Sequence, residues 1–113
     1  MNIEKIREHY EHAKAKHPYF CDKLLDDHRE HWFRDELDVY RSVLWGQIDD
    51  GDVSAECVLG CETVEAFAAL ECGNTAAAVE ECYDAIAVLL RVVDVLEGKQ
   101  KLGNLENKKG EKK

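Results

Sequence analysis

With a single proline and seven glycines, the 113-residue sequence has few residues that interrupt a helix, and this scarcity excludes collagenous and low-complexity classes. No apolar run reaches the roughly 20 residues that a membrane helix requires; the longest, Ala85 to Val93, is interrupted by Arg91. Positive charge is sparse as well. Six lysines lie beyond residue 98, so residues 1–98 hold 22 acidic and nine basic residues, net −13, within a chain whose formal charge is −9. Such a body repels phosphate backbones, so no nucleic-acid partner is expected, and it attracts divalent cations. No glycine-rich phosphate loop, zinc-protease motif or Ser-His-Asp order is present. The five cysteines form an odd set and no cationic, apolar leader precedes them, so the expected setting is a reducing cytoplasm with no membrane association.

What is present is helical periodicity. Ile3, Ile6, Tyr10 and Ala13 make one stripe over Asn2 to Lys16, and His17-Pro18 ends it. Tyr19, Phe20, Leu24 and Leu25 follow as an apolar connector expected to pack on the core. A second helix is predicted from about Asp27, with Trp32, Phe33, Leu37, Tyr40, Leu44 and Ile48 along one side, ending at the Asp49-Asp50-Gly51-Asp52 turn. Ser54 is suited to cap a third helix running to about Cys72, and Gly73-Asn74 supplies its stop. Thr75 is read as the cap of a fourth helix, Ala76 to about Glu97, closed by Gly98. Residues 99–113 are rich in lysine and poor in apolar side chains, which predicts a flexible tail after a single 1–98 domain. The expected fold is all-α, four main helices with an antiparallel hairpin between the last two. The apolar surface of the fourth helix points to a bundle completed by a homodimer or higher homo-oligomer.

Four acids occupy positions that ought to be apolar. Glu62 and Glu65 interrupt a stripe begun by Val58 and continued by Ala69; Glu81 and Asp84 repeat the three-residue spacing ahead of Val88 and Val95. The short turn at Gly73-Asn74 folds the two helices against each other, so the acids can converge. Converging carboxylates oppose one another by several kcal/mol unless a cation or a proton separates them. Oxygen-only ligands suit Mg²⁺, with Mn²⁺ as the second choice. The alternative is that the glutamates face water and pair with lysine or arginine. Either pair His9/His12 or His28/His31 could grip a metal, although surface imidazoles among charges need no such role. Cys57 and Cys61 could form half a zinc site, but no second closely spaced pair completes it. Trp32 and Phe33 could stack on a base, and Lys99 and Lys101 could reach a triphosphate.

The segments Cys61-Glu62-Thr63-Val64-Glu65-Ala66 and Glu80-Glu81-Cys82-Tyr83-Asp84 resemble the paired motifs E-E-x-x-E and E-x-x-D of the MazG-like all-α nucleoside triphosphate pyrophosphatases. The resemblance spans Val58 to Leu96. It implies magnesium bound by Glu62, Glu65, Glu81 and Asp84, and hydrolysis of a nucleoside triphosphate to monophosphate and pyrophosphate, a nucleotide-pool housekeeping reaction. Cys61 stands where the family has its leading glutamate, near the attacking water. On that alignment Cys61→Glu should raise turnover; the alternative is a non-catalytic helical binding or assembly module that keeps the scaffold.

Overall fold

The computed structural model describes residues 1–26 and 32–111, so the expected start of the second helix at Asp27 and the pair His28/His31 lie outside the described residues. Four α-helices follow one another: α1 Ile3–Lys16, α2 Trp32–Asp50, α3 Ala55–Glu71 and α4 Thr75–Glu111, with one 3₁₀ turn at Phe20–Asp22 and no strand among the described residues. The all-α reading stands. Among the described residues no helix is long and apolar enough to cross a membrane.

Local chemistry explains the boundaries. The Asn2 side chain accepts the Lys5 amide at 3.1 Å and starts α1, and the helix ends at Lys16, with His17 as its cap directly before the proline. Gly51 and Gly73 adopt φ of +70° and +73°, a conformation that costs glycine little and lets α2 turn into α3 and α3 into α4. Ser54 caps α3 by accepting the Cys57 amide at 3.1 Å. The cap of α4 is Asn74, not Thr75: its side chain accepts the Ala77 amide at 3.1 Å, and Thr75 is the first helical residue.

Two further expectations are corrected. Tyr19, Phe20 and Leu24 are 77%, 64% and 57% exposed and only Leu25 is half-buried, so most of the connector does not pack on the core. Pro18 keeps the chain out of α geometry here, and α1 makes no close backbone approach to another described helix against which the connector could be pressed. And α4 does not stop at Gly98; it continues to Glu111, so Lys99 onward is helical rather than irregular. Gly98 and Gly103, the glycines in its interior, cost about 1 kcal/mol each. The surrounding Leu, Lys, Gln and Glu are strong helix formers, and the long segment before Gly98 has already met the cost of nucleation.

The core lies where α3 packs between α2 and α4. Its buried apolar residues among those described are Cys57, Cys61, Val64, Ala66, Ala68 and Ala78. They are small, which brings the helices close. Gly60 marks the tightest approach: a Cβ there would stand 2.6 Å from Tyr40 Cε1. Gly60→Val should therefore lower stability by about 1–3 kcal/mol through overpacking, read as a lower urea midpoint with an unchanged slope. An unshifted midpoint would show that the Tyr40 ring moves aside freely.

Candidate metal centre

The hairpin of α3 and α4 sets the four acids. Residues three apart on a helix share a face, so Glu62 and Glu65 project from α3 toward α4, where Glu81 and Asp84 answer them. One carboxylate oxygen each from Glu62, Glu81 and Asp84 lies within 4.8 Å of the others. Opposed ligands of an octahedral Mg²⁺ stand about 4.2 Å apart, so a small side-chain rotation closes the difference. Glu65 sits at the side of this trio: its carboxylate pairs with Arg41 Nε at 3.5 Å while remaining in hydrogen-bonding reach of Glu81.

Glu62 Oε2 and Glu81 Oε2 are buried and have no hydrogen-bond partner. Ionised carboxylates accept and cannot donate, so a row of them can be satisfied only by shared protons or by a cation. The carboxyl of Glu65 is held above its ordinary range, first by burial and then by the hydrogen bond and charge of Glu81, against the pull of Arg41. For Glu81 the hydrogen bond from Glu65 acts downward. The hydrogen bond to Glu62, burial and the charges of Glu62 and Asp84 outweigh it and push the carboxyl up. The donor set is all oxygen and carries negative charge when ionised, which fits Mg²⁺ or Mn²⁺.

The sign of the resulting pH dependence follows from linkage. A carboxyl whose folded pKa is raised favours the folded state when protonated, so that contribution is full below the ordinary value of 4.5 and is lost as pH rises through the raised values. In EDTA the protein should unfold at higher urea at about pH 5 than at about pH 8, and Glu65→Gln combined with Glu81→Gln should flatten that difference. An unchanged slope in the double variant would place the dependence elsewhere.

Beside the acids runs a groove of about 650 Å³ whose polar wall includes Arg34, Asp38 and Arg41 of α2 together with Glu65 and Glu81. Neither arginine stands out from composition, but Arg34, Asp38 and Arg41 share one helix face by spacing, and that periodicity was the available signal. The first described turn of α2 is anchored across the fold, since the amides of Phe33 and Arg34 both donate to the Glu71 carboxylate at 3.0 Å.

The remaining sequence candidates separate. Phe33 stacks on Phe67 with ring centroids 4.9 Å apart, so it belongs to the packing between α2 and α3. Trp32 lies edge-on to Phe33 at 4.8 Å and keeps 39% of its surface exposed. Lys99 and Lys101 do not join the acids: 15 to 20 residues of continuous helix separate them from Glu81 and Asp84, about 22–30 Å at 1.5 Å per residue. Lys99 instead borders an apolar groove with Ile6, Leu90 and Val93. Cys61 is 2% exposed and its thiol donates to the Tyr40 carbonyl at 3.3 Å, on the side facing α2. Burial, then neighbouring Cys57, pushes that thiol up to about 11. Cys57 is buried beside it, and the one group of three or more possible metal ligands among the described residues is carboxylate, not thiolate. Compared with known protein families, curated proteins and solved structures, the chain finds no match.

Proposed function

We propose that the groove hydrolyses nucleoside triphosphates to monophosphate and pyrophosphate with Mg²⁺, or alternatively Mn²⁺, held by Glu62, Glu81 and Asp84 with Glu65 as the fourth acid. The observation that carries this reading is the pair of buried, unpartnered carboxylate oxygens on facing helices, opening beside a groove that contains two arginines. When bound, the metal neutralises phosphate oxygens and makes water more acidic. The protein groups supply the rest. Arg34 and Arg41 offer forked donors to phosphate oxygens. Glu65, fixed by Arg41 and half-buried, is placed to accept a proton from a water in the groove. Water oxygen then bonds to the α-phosphorus as the bond to the bridging oxygen breaks, and pyrophosphate departs. The exposed face of Trp32, two residues from Arg34, is the surface on which a base would stack.

Pyrophosphate release across the common and damaged nucleoside triphosphates, with and without Mg²⁺, tests the proposal. Asp84→Asn should remove at least 10²-fold of any activity, because it takes one charged ligand from the metal while leaving the core packing alone. Equal release by parent and variant would refute the assignment. The second reading, a binding module, is favoured by one observation: Cys61 faces α2 rather than the acids, so no carboxylate stands at that position of the resembled motif. A chain that binds Mg²⁺ and a triphosphate without turning it over would decide for that reading.

A further inference from the structure

The chain exposes far more surface than a folded monomer of its size. Its accessible area is 9357 Å² at a mass of 12.9 kDa, where the scaling for monomeric proteins gives about 6,300 Å². The Cα radius of gyration is 18.4 Å, against about 13 Å for a compact 113-residue domain. The excess, about 3,000 Å² per chain, is at least what each partner buries in an obligate homodimer, roughly 1,000–2,500 Å².

Part of that excess is a continuous apolar stripe on α4. The face of α4 that meets α3 carries Ala78, Ala85, Val88 and Val92, all buried or half-buried. Turned about a third of the way round the same helix is a second stripe: Val79, Tyr83, Ile86, Leu90 and Val93, spaced four, three, four and three. This is the alternation of a helix–helix seam. Val79, Tyr83, Ile86 and Val93 are 47%, 65%, 48% and 38% exposed, and Leu89 and Leu96 widen the stripe at 47% and 54%. None of these residues is charged, in a chain of net charge −9. α1 stands over the C-terminal half of the stripe, with the Met1 ammonium paired to Asp94 at 2.8 Å, but does not pack on it. It makes no close backbone approach to another described helix, and its own apolar residues Ile3, Ile6 and Tyr10 remain 65%, 43% and 64% exposed. Between α1 and the stripe lies an apolar groove of about 760 Å³, floored by Leu90, Val93 and Leu96.

We infer that this stripe is the interface for a second copy of the chain, packed isologously about a twofold axis near Ile86, with α1 closing over the joint. A self-complementary seam needs no other partner, and an uncharged centre avoids the repulsion that two bodies of like charge would otherwise impose. The four acids lie off this stripe, so assembly is testable apart from nucleotide chemistry.

Sedimentation of the full chain over a wide concentration range should give twice the 12.9 kDa mass, and Ile86→Glu should halve it. Because that variant can unfold once its seam is broken, a second measurement uses the parent fold. A photo-reactive benzoylphenylalanine replacing Tyr83 should link two copies, and the same group replacing Trp45, exposed on α2, should not. A monomeric parent, linkage from position 45 but not 83, or linkage of position 83 only to some other protein would each overturn the inference.

Discussion

Glu81→Gln is expected to melt higher than the parent in EDTA and to lose most of the parent's response to Mg²⁺. Both effects have one cause. Without metal, Glu81 stands between Glu62, Glu65 and Asp84, and the net effect of those neighbours and of burial is to disfavour its charge. An uncharged amide of the same shape removes that repulsion and can donate to the neighbouring carboxylates. The groove is open on one side, so screening keeps the gain to about 1 kcal/mol or less, a rise of a few degrees in Tm. In Mg²⁺ the order reverses. Binding confined to the folded state stabilises the parent by RT ln(1 + [L]/Kd), about 2.7 kcal/mol at a hundredfold excess over Kd, whereas the variant has lost a charged ligand. Pyrophosphate release should fall with the metal. Differential scanning calorimetry of both proteins in EDTA and in Mg²⁺ reads the crossing directly. Parallel curves, with neither protein moved by Mg²⁺, would mean that the acids are held apart by protons alone and that the metal centre is not one.

The parts of this site that could be read from the sequence are those set by local rules. Three-residue spacing places Glu62 with Glu65 and Glu81 with Asp84, and a glycine at Gly73 forces the two helices into a hairpin, so convergence follows from spacing and turn chemistry. What escaped was decided by contacts distant in sequence. Arg41 enters the site only because α2 packs on α3, and no pattern within α2 announces an acid 24 positions further on. The extension of α4 past Gly98 escaped for a different reason. Glycine is a strong helix stop only where a left-handed residue is wanted, as at Gly73; inside a segment of good helix formers it is a modest cost that neighbours offset. Phe33 and Trp32, adjacent and aromatic, were indistinguishable until Phe67 took one of them. The same limit explains the lysines: a helical continuation carries Lys99 and Lys101 away from the acids along the axis, where a flexible tail could have folded back.

Cys61 is where alignment to a motif and position in space part company. In the row Cys61-Glu62 the two side chains differ by about 100° around the helix; Glu62 faces α4, and Cys61 faces the backbone of α2. Cys61→Glu should therefore not raise turnover but lower stability, by about 3–5 kcal/mol, the usual cost of a buried charge without a partner. The side chain being replaced is 2% exposed. Its proton satisfies the Tyr40 carbonyl, which an ionised glutamate would confront with a second acceptor. Glu62 and Glu65 already oppose negative charge at this position. Cys61→Ala isolates the packing part of the loss: it forfeits the thiol and its hydrogen bond without adding charge, and should cost about 1–2 kcal/mol. Urea unfolding of the parent and both variants, with the glutamate variant followed across pH, separates the two contributions. The deficit of Cys61→Glu should shrink in acid, where the carboxyl takes a proton and can again donate to Tyr40. A Cys61→Glu protein as stable as the parent and faster in pyrophosphate release would show that the longer side chain swings past α3 into the acid cluster, and that the leading position of the motif is recoverable in this fold.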